Sequence, residues 1–248
     1  MRILNNKLIS FVPFLILIIS LPASGQENGK QPSDFSWNLR ANYNYTTDAK
    51  IFYFPNSSDF ELRNSYFPLN SITNFSAEIR YIASELIDIA LNIEYIDATK
   101  TSNNLAVIYN ERTELINVAD GFYVFPVELM LRYKLPFSSD KFIFSFGGGV
   151  GVYYGGQIRK AGNTEVSNIK RDIGFGILVG FDLDYYFSES FFLTSGMKFR
   201  DPEFRVTSSY DKREITWNGR QVLIPQESFE SKINMDGILF RIGLGISF

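Results

Sequence analysis

Apolar and polar residues alternate along most of the chain after residue 33. Eight segments each have one face that is almost wholly apolar. In the first, Phe35, Trp37, Leu39, Ala41, Tyr43 and Tyr45 alternate with Ser36, Asn38, Arg40, Asn42 and Asn44. Similar segments run over residues 74–81, 87–95, 125–134, 142–154, 172–187, 191–200 and 238–248. A period of two is the spacing of a β-strand with two unlike faces. The connections alternate as well. Those after the second, fourth and sixth segments are short (82–86, 135–141 and 188–190). Those after the first, third, fifth and seventh are long, over about 47–72, 98–120, 155–170 and 201–236. The pattern predicts an all-β fold: an eight-stranded antiparallel up-and-down transmembrane β-barrel with long extracellular loops and short periplasmic turns.

Alternation alone does not say which face looks out, because a soluble secreted ligand-binding barrel would turn its apolar face inward. Volume decides for lipid. The apolar face is rich in Phe, Tyr and Leu, and eight strands enclose a space only just wide enough for side chains. The polar face is the compact one, and it carries the glycines of the last four segments, which make room in a crowded lumen. Its long charged residues are then expected to pair inside the barrel. The positive ones are Arg40, Arg80, Arg132, Lys134, Lys198, Arg200 and Arg241; the negative ones are Glu78, Asp88, Glu94, Glu128, Asp172, Asp182 and Asp184. Equal numbers of each sign favour an interlocking plug over a narrow porin-like channel for small solutes, in which an asymmetric ring of one sign sets selectivity.

Aromatic residues support a membrane setting. Phe35, Trp37, Tyr81, Tyr133, Tyr185, Phe187 and Phe248 fall at the turn-side ends of the segments, and Tyr45, Tyr95 and Tyr154 near the long-loop ends. Two such belts suit the two membrane interfaces. Two features depart from the scheme. Pro126 lies inside the fourth segment and predicts a bulge or a strand start. Tyr153, Leu178, Tyr186 and Phe192 are predicted to point into the lumen.

The N-terminus changes the picture of where the chain goes. Arg2 and Lys7 precede an apolar run over residues 8–21, and Ala23 and Gly25 then occupy the −3 and −1 positions of a cleavage site. This reads as a secretory signal peptide over residues 1–25, followed by a flexible lead over 26–33 and a single outer-membrane β-barrel domain over 34–248. Without Arg2 and Lys7, 22 basic residues remain against 27 acidic ones, a net charge of −5 that gives no support to nucleic-acid binding. The stretch FSFGGGVGVYYGG invites comparison with a phosphate-binding loop, but the spacing fails: counted from Gly147 or Gly149, the third glycine position falls on Val152 or Tyr154. The chain has no Cys and no His, which removes the usual zinc and haem ligands and the usual general base, so no cofactor and no metal site is expected.

The signal peptide, the hairpin RDIGFGILVGFDLDYYFSESFFLTSGMKFR and the terminal LFRIGLGISF together resemble the small outer-membrane β-barrel family that includes the OmpA membrane domain and OmpX-like and OmpW-like proteins. The resemblance implies a place in the outer membrane of a Gram-negative-type bacterium, with outer-membrane lipid around the barrel. It also implies that Phe248 is the signal read by the barrel assembly machinery. Enzymes of similar architecture resemble one another in using a catalytic His, so the resemblance implies a non-enzymatic protein. The long loops carry Phe52, Tyr53, Phe54, Phe60, Tyr66, Phe67, Tyr109, Tyr210 and Trp217. They suit either a surface that meets an external ligand or partner, or a packed cap.

Overall fold

The computed structural model describes residues 36–248. The expected signal peptide and lead, and Phe35 of the first segment, lie outside the described residues. Thirteen strands and one short helix follow in order: β1 (Trp37–Phe52), α1 (Phe60–Asn64), β2 (Phe67–Ile82), β3 (Ile87–Tyr109), β4 (Arg112–Lys134), β5 (Phe142–Ala161), β6 (Thr164–Arg171), β7 (Gly174–Tyr186), β8 (Phe191–Arg200), β9 (Glu203–Tyr210), β10 (Glu214–Trp217), β11 (Arg220–Leu223), β12 (Ser228–Asn234) and β13 (Ile238–Ser247).

All thirteen strands belong to one antiparallel sheet with ring-like pairing. From β1 the ladders pass through β2, β3, β4, β5, β7, β8 and β13 and return to β1. The ring branches: β5 also pairs with β6, β9 pairs with β6, β7 and β12, and β1 also pairs with β12. It also parts. β2 and β3 pair only from Phe75 and Tyr95 toward the short turns, and above that point a cavity of about 340 Å³ lies between Ile72 and Thr73 on one side and Asp97 and Ala98 on the other. The eight-stranded closed barrel expected from the sequence is therefore corrected to a thirteen-stranded sheet.

The physical reason lies in the stretches expected to be long loops. Most of their residues are strand. β1 to β5 run well past the expected limits, and β3 and β4 reach 23 residues each. Three further segments, β6, β9 and β12, continue the lines of β7, β8 and β13 beyond short breaks at Asp172–Ile173, Asp201–Pro202 and residues 235–237. At the second break Pro202 has no N–H to give a ladder, and its carbonyl instead accepts from Met235 N at 3.2 Å. The hairpin β10–β11 attaches to β3 through Leu223 and Ile108.

The expectation at Pro126 is corrected too. It starts no strand, since β4 begins at Arg112. It makes no bulge either, because Ile93↔Val127 and Ile96↔Val124 share one register on either side of it. The ladder to β3 skips a step there, while the opposite edge pairs Pro126 with Tyr153.

Candidate functional site

The inward face of β4 traces the interior from the short turns upward: Arg132, Met130, Glu128, Pro126, Val124, Phe122, Asp120, Val118 and Ile116 are all buried. The parity never changes, but the chemistry does. The lower half of the interior is charged and the upper half is apolar, with one polar residue between two apolar layers. The outer face goes from wholly apolar to mixed, with Leu115 still 61% exposed near its top. Leu131, Leu129, Val127 and Phe125 are 45–58% exposed around the charged half, while Asn117 and Thr113 face outward beside the apolar half.

Two ion clusters occupy the charged half. In the first, Arg40, Arg80, Arg132 and Arg241 surround Glu78, Asp182 and Asp184. Arg40 donates to both oxygens of Asp184, at 2.8 and 2.7 Å. Arg241 bridges Glu78 at 2.7 Å and Asp182 at 2.8 Å, and Arg132 also pairs with Asp182. In the second, Lys198 and Arg200 meet Glu94 and Glu128; Arg200 Nη1 lies 3.1 Å from each carboxylate. Tyr153 donates to Glu128 at 2.8 Å, and Lys198 pairs with both acids. A small apolar step of Ala90, Met130 and Leu178 belongs to the same interior.

Glycines make the room for these long side chains. A Cβ on Gly147 would stand 2.7 Å from Arg132 Cγ, and one on Gly151 2.7 Å from the Tyr153 hydroxyl. Tyr153, Leu178, Tyr186 and Phe192, expected to point inward, are buried at 0–5% exposure.

Of the fourteen charged residues singled out in the sequence, eleven meet in these clusters. Asp88 and Lys134 line a cavity of about 230 Å³ at the short-turn end instead, together with Arg40, Arg80 and Asp184. Asp172 pairs with Lys170 on the exposed surface. The expected balance of seven against seven does not carry over, because the buried clusters hold one more basic than acidic residue among the described residues. Phe248 is exposed at the short-turn end, where its backbone exchanges hydrogen bonds with that of Trp37 at 3.0 and 2.9 Å.

Above the ions, one apolar layer includes Ile51, Phe67, Ile72, Ile96, Phe122, Val124, Phe204 and Ile233. A second includes Val107, Ile116, Val118, Tyr210, Ile215, Val222 and Phe229. Sequence reasoning missed the ion pair between them. Asp120 lies 3.2 Å from Arg159, whose guanidinium stands 4.4 Å from the Tyr53 ring centroid and 5.4 Å from that of Phe229. Burial pushes the Asp120 carboxyl above its ordinary pKa despite the neighbouring Arg159, and burial raises the Tyr53 and Tyr210 hydroxyls as well. Unbroken parity from Ile116 to Arg132 was the signal that could have found this layer.

The loop aromatics divide. Phe67 and Tyr210 are buried and Tyr53 packs on both apolar layers, whereas Phe54, Phe60 and Tyr66 are 48–69% exposed. The helix α1 that carries Phe60 buries none of its residues. Among the described residues no group of three or more side chains is arranged to hold a metal ion.

An exposed apolar belt around a buried ionic interior is the reverse of a soluble protein and fits a sheet immersed in lipid. The structure of the outer membrane protein OprG from Pseudomonas aeruginosa superimposes with a TM-score of 0.61 over 90% of this chain and 99% of that one, at 12% identity. The chain has the fold of a small outer-membrane β protein. It is also similar, more distantly, to Neisserial surface protein A (TM-score 0.43, 12% identity, 86% of this chain and 97% of that one) and to Ail, the attachment invasion locus protein of Yersinia pestis (TM-score 0.44, 8% identity, 86% and 99%). No family model matches the chain, and no curated protein matches it. The belt makes the protein an integral membrane protein, which overturns the soluble secreted alternative.

Proposed function

We propose that the protein is a non-enzymatic structural and surface-interaction protein of a Gram-negative-type outer membrane, with an interior that does not conduct. The observation that carries this reading is the filling of the interior above the cavity at the short-turn end. Two ion clusters pair Arg40, Glu78, Arg80, Glu94, Glu128, Arg132, Asp182, Asp184, Lys198, Arg200 and Arg241, and two apolar layers lie above them. An ion crossing this column has to displace buried salt bridges and then pass desolvated through side chains such as Phe122 and Ile116, and both steps are costly.

The upper strands stand above the belt and carry α1 and the β10–β11 hairpin, so the surface offered outward is a built platform with exposed Phe54, Phe60 and Tyr66. The reading includes kinship with the OmpA, OmpX-like and OmpW-like group and recognition of Phe248 by the barrel assembly machinery, both supported by the terminal alternating strand. Reconstitution of the full mature chain in planar bilayers tests the closed interior. Silence at every voltage is expected; discrete conductance steps would replace the plug with a narrow solute channel.

A further inference from the structure

Five outward cations above the apolar belt are matched to acids: Lys50 to Asp236, Lys160 to Glu165, Lys170 to Asp172, Arg205 to Glu230 and Lys232 to Glu203. Others are not, among them Arg63, Arg112, Lys212, Arg213 and Arg220, and Arg171 is the unmatched one that stands at the upper edge of the belt. Among the described residues no carboxylate stands within ion-pair distance of it. Its guanidinium lies instead beside two tyrosine rings, 5.6 Å from the Tyr123 centroid and 6.0 Å from that of Tyr154.

The setting is built by the ladder. Tyr123 stands directly opposite Gly156, and a Cβ at that glycine would lie 2.6 Å from the Tyr123 hydroxyl oxygen. Only a residue without a side chain lets the ring lie across β5. Tyr154 pairs with Phe125, whose ring meets that of Tyr95 at 4.8 Å, so one aromatic ledge crosses three strands. Beneath it the belt continues with exposed Val127, Val152, Phe175 and Ile177.

We infer that Arg171, Tyr123 and Tyr154 form a headgroup site for a phosphorylated glycolipid of the outer leaflet, whose acyl chains lie along the apolar residues below. The chemistry asks for an anion joined to apolar chains. Arg171 supplies forked donors to a phosphate oxygen pair, the tyrosines supply hydroxyl donors and a surface for a sugar ring, and the belt solvates the chains. A zwitterionic phospholipid also covers the belt but gives this cation less to hold. The inference rests on the membrane placement proposed above.

The test uses the full mature chain in non-ionic detergent, titrated with bis-phosphorylated lipid A, with the same lipid after dephosphorylation, and with inorganic phosphate. Binding is read by native mass spectrometry. The wild type is expected to retain the phosphorylated lipid preferentially, and Arg171→Gln to weaken it by about tenfold. Arg205→Gln, at a cation already matched to an acid, is expected to leave binding unchanged. Equal loss in both variants would mean diffuse charge attraction and overturn the site, as would unchanged binding by Arg171→Gln or equal retention of the dephosphorylated lipid. Competition by inorganic phosphate at the lipid's own concentration would overturn the lipid as its occupant. Flotation with lipid vesicles is measured in parallel: a protein that fails to float refutes the membrane placement, whereas one that floats without lipid preference refutes the site alone.

Discussion

Arg40 on β1 and Asp184 on β7 join through a two-pronged hydrogen-bonded ion pair, 2.8 and 2.7 Å long, across an interior that separates strands three ladders apart. Both are buried, and Arg40 also lies 4.8 Å from the Phe192 ring centroid. Removing one charge strands the other in a dry interior, at a cost of about 3–5 kcal/mol, whereas replacing both by apolar groups is often near neutral. Asp184→Asn is therefore expected to lower stability in lipid by roughly that amount, and Arg40→Met with Asp184→Leu to recover most of it. Equilibrium urea unfolding in vesicles reads both. Single and double variants that add without coupling would remove the pair from the list of what fixes the ring.

Two adjacent glycines make a second comparison. Gly147 faces inward, and a Cβ there would lie 2.5 Å from the Leu131 carbonyl oxygen and 2.7 Å from Arg132 Cγ. Gly148 faces the other way, with its nearest neighbour at 3.5 Å. Gly147→Ala is expected to cost about 1–3 kcal/mol through overpacking. Gly148→Ala is expected to be neutral or to stabilise by up to about 1 kcal/mol, because Ala loses less backbone freedom on folding. The same unfolding assay distinguishes them, and equal effects at the two positions would count against the assigned faces.

The end of the unbroken apolar outer face along β3 and β4 predicts where lipid ends. Leu129 is half exposed in the middle of the belt, and Thr101 is exposed above it. Leu129→Arg is expected to destabilise by about 2–4 kcal/mol, the cost of a cation at the bilayer midplane. Thr101→Arg is expected to change stability by less than about 0.5 kcal/mol, as an open surface substitution does. A nitroxide label at the same two positions, read by oxygen and nickel-chelate accessibility, gives an independent depth.

That same change of the outer face explains what the sequence made legible. Within the belt the outer residues must all be apolar, so Leu91, Ile93 and Tyr95 against Asn92 and Glu94 leave no doubt about the strand. Above it the outer face mixes Thr101, Asn117 and Thr113 with Leu115 and Ile169, and the inner face mixes Ile96 and Ala98 with Asp120 and Ser208, so the contrast weakens and Thr, Asn and Asp read as loop. Five strands were missed for this reason, and with them the Asp120–Arg159 pair, since neither residue lies in a segment with a clean apolar face. Asp88 and Lys134 share the face of the ion clusters but lie at the short-turn end, because parity gives the face of a residue and not its height, whereas Asp172 falls in the break between β6 and β7, where parity is interrupted, and pairs with Lys170 on the outer surface. The break at Asp172 depends on how neighbouring strands meet, which no single segment encodes, whereas the one at Pro202 has a local cause in the missing N–H.

Tyr210 gives the apolar cap a signature in alkali. It is 7% exposed, its ring meets Phe229 at 5.5 Å, and burial pushes its hydroxyl from 10.0 up to about 12. An acid with a raised folded pKa binds its proton more tightly when folded. The stability linked to Tyr210 is thus fully present below pH 10, falls as pH rises through the window from 10 to 12, and is lost above it, a change of up to about 2–3 kcal/mol. Tyr210 packs in the same layer as Trp217, the only tryptophan above the belt among the described residues, so Trp217 reports on the cap once Trp37 is replaced by Phe. The Trp37→Phe protein is expected to show a red shift of Trp217 emission between pH 10 and 12 while the ring stays resistant to unfolding by detergent at room temperature. Tyr210→Phe in that background is expected to move the transition upward in pH, leaving Tyr53 as the raised hydroxyl that remains in the cap. An emission change centred at pH 10, unaltered by Tyr210→Phe, would mean that the hydroxyl titrates as if in water and that the cap is open where the structure closes it.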